Sequence, residues 1–112
     1  MPKAKEVVRP VGLKFDGGKD RWSLLLAGCP KALRGVVKVL TFGAVKYEDN
    51  SWQNVDNAID RYLSAQMRHM NAILIEGPAA VDEESGLPHI DHFNTNGLFL
   101  GELLRLKKLI ND

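Results

Sequence analysis

The chain has 112 residues, 45% hydrophobic and 26% charged, with a net charge of +1. That is the profile of one ordinary globular domain, able to bury roughly two thirds of its unfolded surface around a thin core. The near-neutral balance offers no broad basic face for duplex nucleic acid, the lone Cys29 excludes an internal disulfide, and neither a signal-peptide core nor an apolar run near the roughly 20 residues of a membrane span is present, so a cytoplasmic protein without a membrane partner is expected.

Residues 1–29 hold two glycine turns, Gly17-Gly18 and Gly28, and no sustained helical period, so they are expected to form an irregular N-terminal arm. Val7 to Phe15 is a candidate short strand. Around the Gly-Gly turn, "LKFDGGKDRW" gathers Lys14, Asp16, Lys19, Arg21 and Trp22. Glycine lets backbone N–H groups approach an anion, but the spacing is not that of a P-loop, and from these residues alone a hairpin turn with solvated charges is the better reading.

Residues 30–112 read as helices forming the single domain's body. Pro30 suits the first helical position, and Leu33, Val36, Val37 and Leu40 recur at i, i+3, i+4 and i+7. At the end of this first helix, "FGAVKYEDNSW" places Lys46, Tyr47, Asn50 and Trp52 together, a set able to stack on a base and read its edge. A loop is expected over "EDNSWQN". A second helix is expected from about Val55 to Glu76, capped by Asn54 or Asp56 and stopped by Gly77-Pro78. Its apolar stripe is Ile59, Tyr62, Leu63, Met70, Ile73 and Leu74. On its polar side His69 aligns with Glu76, and Arg61 with Arg68, each pair at i and i+7. A third helix is expected from near Pro88 to about Ile110. Its leucines point in more than one direction, which suits a central helix or one buried against a second subunit.

The densest chemistry lies in "DEESGLPHIDHFNTN". Asp82, Glu83 and Glu84 precede the third helix, and a short turn can fold them over its first turn, where His89, His92 and Asn96 share one face at i, i+3 and i+7. Acids near a helix start are often only caps, and the arginines of the second helix often only a solvated face. Together, however, carboxylates, imidazoles and guanidiniums across one groove supply what phosphoanhydride hydrolysis needs: a held divalent ion and a grip on phosphate oxygens. Oxygen donors suit Mg²⁺ or Mn²⁺, and the imidazoles favour Mn²⁺, Co²⁺ or Zn²⁺ over Mg²⁺.

In order, "KFDGGKDRWSLL", "VLTFGAVKY…NSW", "RYLSAQMRHMNA…EG" and "DEESGLPHIDHFNTNGLFL" resemble the phage dATP/dGTP diphosphohydrolase domain, a relative of the MazG-type nucleotide pyrophosphohydrolases. The resemblance runs from Lys14 to about Glu102, and its specific parts are ESGLPH-x-x-H and the RY…RH pairing. It implies an all-α, MazG-like helical bundle completed by oligomerisation to a dimer or tetramer. It implies Mg²⁺- or Mn²⁺-dependent cleavage of a purine (d)NTP to the monophosphate plus pyrophosphate. A likeness to a cyanophage branch implies dGTP or GTP as substrate, with dGMP supplied for 2-aminoadenine nucleotides, and so the cytoplasm of an infected host.

Carried over residue by residue, Glu84, His89, His92 and Asn96 fall on the ESG-x-x-H-x-x-H-x-x-x-N block, and Arg61, Arg68 and His69 on RY…RH. Glu76 falls on the Gly-Glu region, with the order inverted here. Lys14, Asp16, Lys19 and Arg21 fall on the first block, and Lys46, Tyr47, Asn50 and Trp52 on KY…NW. The helical ExxE…ExxD metal motif of ordinary MazG proteins is absent, and Asp91 stands where a small residue is more usual. The expectation is therefore a metal held by some of His69, Glu76, Asp82, Glu84, His89, Asp91 and His92, with Glu84, His89 and His92 catalytic. Arg61, Arg68 and Lys46 would bind phosphates, while Trp22, Asn50 and Trp52 would hold base or sugar. The rival reading is a nucleic-acid-binding or regulatory helical module, supported by the basic arm and the C-terminal "RLKK" and opposed by the net charge of +1.

Overall fold

The computed structural model describes residues 17–112. It is all-α, with α1 (Ser23–Leu26), α2 (Pro30–Lys46), α3 (Ala58–Glu76) and α4 (His89–Leu106), and a 3-10 turn at Ser51–Asn54. Among the described residues the only β-type pairing is an isolated antiparallel bridge between Val81 and Pro88. The candidate strand from Val7 to Phe15, and with it Lys14 and Asp16, lies outside the described residues.

Within residues 17–29, Ser23 to Leu26 make one helical turn, with Leu24, Leu25 and Leu26 exposed. α2 starts at Pro30 as its missing N–H requires. α3 starts later than expected. The 3-10 turn, entered at Asn50 (φ 57°), ends at Asn54, and a turn over residues 56–57 closes on Asn57 (φ 54°). Asparagine tolerates the left-handed region, so the bend at Asn57 replaces the first turn of the expected helix. Neither Asn54 nor Asp56 caps α3; Asn57 stands at the cap and makes no side-chain capping bond. Gly77, at φ 107°, ends α3 as the Gly-Pro stop requires, donating its N–H to Ile73 O at 2.8 Å. α4 ends at Leu106, short of Ile110. Lys108 turns left-handed at φ 59°, and the chain closes with Lys108 N–H on Arg105 O (2.9 Å) and Leu109 N–H on Leu104 O (2.8 Å). Those two bonds satisfy carbonyls that the helix end would otherwise leave open.

α3 and α4 form an antiparallel hairpin. Its contacts run in opposite directions along the two helices: Tyr62 meets Phe99, Gln66 Nε2 donates to Phe93 O at 3.2 Å, and His69 meets His89. α4 also packs on α2, so it is the central helix. The α2–α4 contact is close because Gly35, buried, has no side chain: the Asp91 carboxylate occupies the space that a Cβ would take. An alanine in mid-helix normally gains about 1 kcal/mol over glycine. Here Gly35→Ala is expected to lose about 1–2 kcal/mol, because α4 must shift or Asp91 must leave its rotamer. Denaturant unfolding checks this, and a stabilised variant contradicts the packing.

The apolar core is thin. Val36, Ala58 and Leu103 are the buried hydrophobic side chains among the described residues. Leu74, expected in the apolar stripe of α3, is 76% exposed, and Ile75, Leu98 and Leu106 are also exposed. No described helix is long and apolar enough to cross a membrane.

Candidate functional site

The loop between α3 and α4 doubles back over the start of α4. Asp82 N–H donates to Leu87 O and Gly86 N–H to Asp82 O, each at 2.8 Å, and His89 N–H donates to Ala80 O at 2.9 Å. Gly86 takes φ 73°, a left-handed turn that glycine makes without strain. This fold brings Asp82 and Ser85 over His89 and His92 of α4, with His69 of α3 alongside. His69 Nδ1 and His89 Nδ1 are 2.8 Å apart, so one carries a proton and the other accepts it. The rings of His69 and His92 stack at 4.6 Å and 10°. Ser85 Oγ lies 2.7 Å from His92 Nε2 and 2.9 Å from Asp82 Oδ2. Asp82 Oδ2 also accepts the Ser85 N–H at 2.9 Å.

His69, Asp82 and His89 each bring a potential ligand atom within 4.8 Å of the others. Burial, then the neighbouring His92 and His89, push His69 down from 6.5 to about 4. Burial also lowers His92, against the pull of Asp82. For Asp82, burial pushes the carboxyl up, but the Ser85 N–H and hydroxyl and the nearby histidines overcome it and hold it below its ordinary value. At neutral pH His69 and His92 are therefore neutral beside the Asp82 carboxylate, and imidazole nitrogen with carboxylate oxygen is a donor set suited to a divalent ion of borderline softness.

The depressed His69 value fixes a pH dependence for the metal-free fold. The unfolded chain holds the His69 proton up to 6.5, the folded one only below about 4. Stability is thus full above the unfolded value and is lost as pH falls from there toward the folded one. The urea midpoint should fall between about pH 7 and about pH 4.5, and His69→Gln should flatten that slope. An equal slope in both proteins contradicts the assigned environment.

Beside the cluster lies a groove of about 1320 Å³. The end of α2 contributes Lys46 and Tyr47, and the 3-10 segment contributes Asn50 and Trp52. α3 contributes Arg61 and Arg68, α4 His92 and Asn96, and the α3–α4 loop Glu84. Among the described residues neither arginine is paired with a carboxylate. Lys46 Nζ is paired with Glu84 Oε2 across the groove, and that bond, with Tyr47 adding to it, raises the lysine pKa. Trp52 stacks on Phe99 at 4.2 Å and 14°, which fixes one face of the indole. Tyr62 braces the pair, its ring 5.0 Å from Phe99 and its hydroxyl donating to Trp52 O at 2.8 Å. Burial raises the Tyr62 pKa. Asn96, 8% exposed, spends its Nδ2 on His92 O at 2.9 Å, so its amide braces the helix turn that carries His92.

Several candidate residues lie apart from both features. Asp91 sits over Gly35 at the α2–α4 contact, Glu76 is exposed at the end of α3, and neither joins the converging donors. Glu84 faces the groove and Lys46 instead of the His–Asp donors. Lys19, Arg21 and Trp22 are exposed in the segment before α2 and do not line the groove. Conversely, Ser85, Tyr62 and Phe99 have places that the sequence reading did not assign. Ser85 lay within the ESGLPH block but has no helical phase to point it at His92. Tyr62 reads as an ordinary core position on an apolar stripe, and nothing in the sequence pattern singles out Phe99.

No curated protein and no solved structure matches the chain. The family model described as dATP/dGTP diphosphohydrolase, N-terminal, matches residues 10–112, which span the cluster and the whole groove. The chain therefore belongs to the dATP/dGTP diphosphohydrolase N-terminal family, and with it to the nucleoside triphosphate pyrophosphohydrolases.

Proposed function

We propose that the chain hydrolyses a purine (d)NTP, dGTP or GTP in particular, to the monophosphate and pyrophosphate, with Mn²⁺ or Mg²⁺. The observation that carries this reading is the groove. Lys46, Arg61 and Arg68 line a space that Trp52 also lines and that adjoins the His–Asp donors through His92. A triphosphate needs cations along its length, and a base needs an aromatic face. The indole face turned away from Phe99 is the surface for the base, with Asn50 beside it to read the base edge. Arg61 and Arg68 grip phosphate oxygens and orient the chain of anhydride bonds.

His69, Asp82 and His89 would hold the ion, which supplies charge neutralisation and an acidified water when bound. The imidazole share of this donor set favours Mn²⁺ over Mg²⁺. Glu84, one of the carboxylates lining the groove, is held by Lys46, and a phosphate that captures Lys46 would release it to accept a proton. The exposed Leu74, Ile75, Leu98 and Leu106 support assembly as a dimer or tetramer, since each leucine buried contributes roughly 1.5–3 kcal/mol. The dGMP formed would feed 2-aminoadenine nucleotide synthesis in a phage-infected cell.

Incubation with each common (d)NTP plus Mn²⁺ or Mg²⁺, with products resolved by chromatography, tests the reading. Turnover of purine substrates to monophosphate and pyrophosphate is expected, and inertness toward all of them overturns it. Arg68→Lys keeps the charge but loses the bidentate fork, so KM should rise by about tenfold with little change in melting temperature. An unchanged KM returns Arg68 to a solvated role.

A further inference from the structure

The α3–α4 loop holds a hydroxyl whose hydrogen bonds can be counted completely. Ser85 Oγ has one proton to give and two lone pairs. The Leu87 N–H, which can only donate, takes one lone pair at 3.1 Å. That leaves one proton and one lone pair for two neighbours, Asp82 Oδ2 at 2.9 Å and His92 Nε2 at 2.7 Å. An ionised carboxylate can only accept, so the Ser85 proton goes to Asp82. The remaining lone pair must then accept from His92, and Nε2 must carry a proton. The reverse assignment would set two acceptors against each other at the Asp82 contact. The ordinary pKa of a carboxyl group, lowered further here by the Ser85 hydrogen bonds, keeps Asp82 ionised at neutral pH.

We propose that Ser85 is the positioning residue of this site: it ties Asp82 Oδ2 back into the loop and locks His92 as the Nε2–H tautomer, which leaves Nδ1 as the only lone-pair nitrogen of that ring. The assignment rests on the proposed metal-dependent reaction for its purpose, though not for its geometry. With Oδ2 holding both Ser85 bonds, no hydrogen bond among the described residues reaches Asp82 Oδ1, which is left for an ion. His92 lines the groove, so a fixed tautomer decides whether its Nδ1 accepts a hydrogen bond there or offers a proton. Groups of this kind, held behind a ligand, set its orientation and basicity.

The test uses the metal-free full chain with ¹⁵N-labelled histidine. Long-range ¹H–¹⁵N correlation spectra above neutral pH identify the tautomer of each ring, with His92→Gln assigning the signal. His92 is expected in the Nε2–H form. Ser85→Thr, which keeps the hydroxyl, should keep it, whereas Ser85→Ala should move the ring toward a mixture. Mn²⁺ binding, read by electron paramagnetic resonance, should weaken by about tenfold or more in Ser85→Ala and stay near wild type in Ser85→Thr. A wild-type His92 in the Nδ1–H form overturns the assignment without any variant, so a Ser85→Ala chain that fails to fold does not shelter it. A folded Ser85→Ala with the wild-type tautomer overturns it as well. An inactive wild type with His92 in the Nε2–H form would defeat the proposed reaction and leave the Ser85 assignment standing. An active wild type with the other tautomer would do the opposite.

Discussion

Asp82→Asn should lower kcat by about 10²-fold or more while the helices and their packing persist. The substitution keeps the shape of the side chain and its ability to accept the Ser85 N–H and hydroxyl bonds at 2.9 Å, so the loop can close as before. What it removes is the only negative charge among the three groups that converge within 4.8 Å, His69, Asp82 and His89. Two neutral imidazoles and an amide bind a hard divalent ion far more weakly than the same imidazoles with a carboxylate. Mn²⁺ affinity and turnover should therefore fall together, and added Mn²⁺ should restore part of the rate. Circular dichroism and a metal-free melting curve separate this from unfolding. Near-full activity at unchanged metal demand would remove Asp82 from the site.

Glu84→Gln is the second large effect, about 10²-fold in kcat, and it should not be rescued by metal. Glu84 stands across the groove on Lys46, with its side chain 62% exposed, so the ion pair itself contributes little to the fold. Removing the charge leaves Lys46 free for phosphate, so KM should hold or fall while the chemical step slows. That split distinguishes a base at the reacting centre from a binding group. Full activity with the same metal dependence would leave Glu84 as no more than the partner of Lys46.

Much of the architecture could be read from period and punctuation. Pro30, Gly77-Pro78 and Pro88 bracket the helices because proline and glycine act locally, on backbone torsions. The start of α3 escaped because Asn57 can turn left-handed, and nothing local decides whether it does. The exposure of Leu74 escaped because an apolar stripe does not say which neighbour covers it. Helical phase aligned His89 with His92 and Arg61 with Arg68, and a loop too short to go elsewhere brought Asp82 over them. The same phase carried a warning about Asp91: two residues past His89, it is turned about 200° from it, toward α2. The roles of Ser85, Tyr62 and Phe99 depend on contacts between separate segments, which no single segment's pattern encodes.

The most direct measurement is ³¹P nuclear magnetic resonance of dGTP incubated with the chain and Mn²⁺, beside a chelated control and Asp82→Asn. dGMP and pyrophosphate are expected from the wild type, with neither product in the chelated sample and only a trace in the variant. Release of inorganic phosphate with dGDP, release of intact triphosphate, or turnover indifferent to chelation would contradict it.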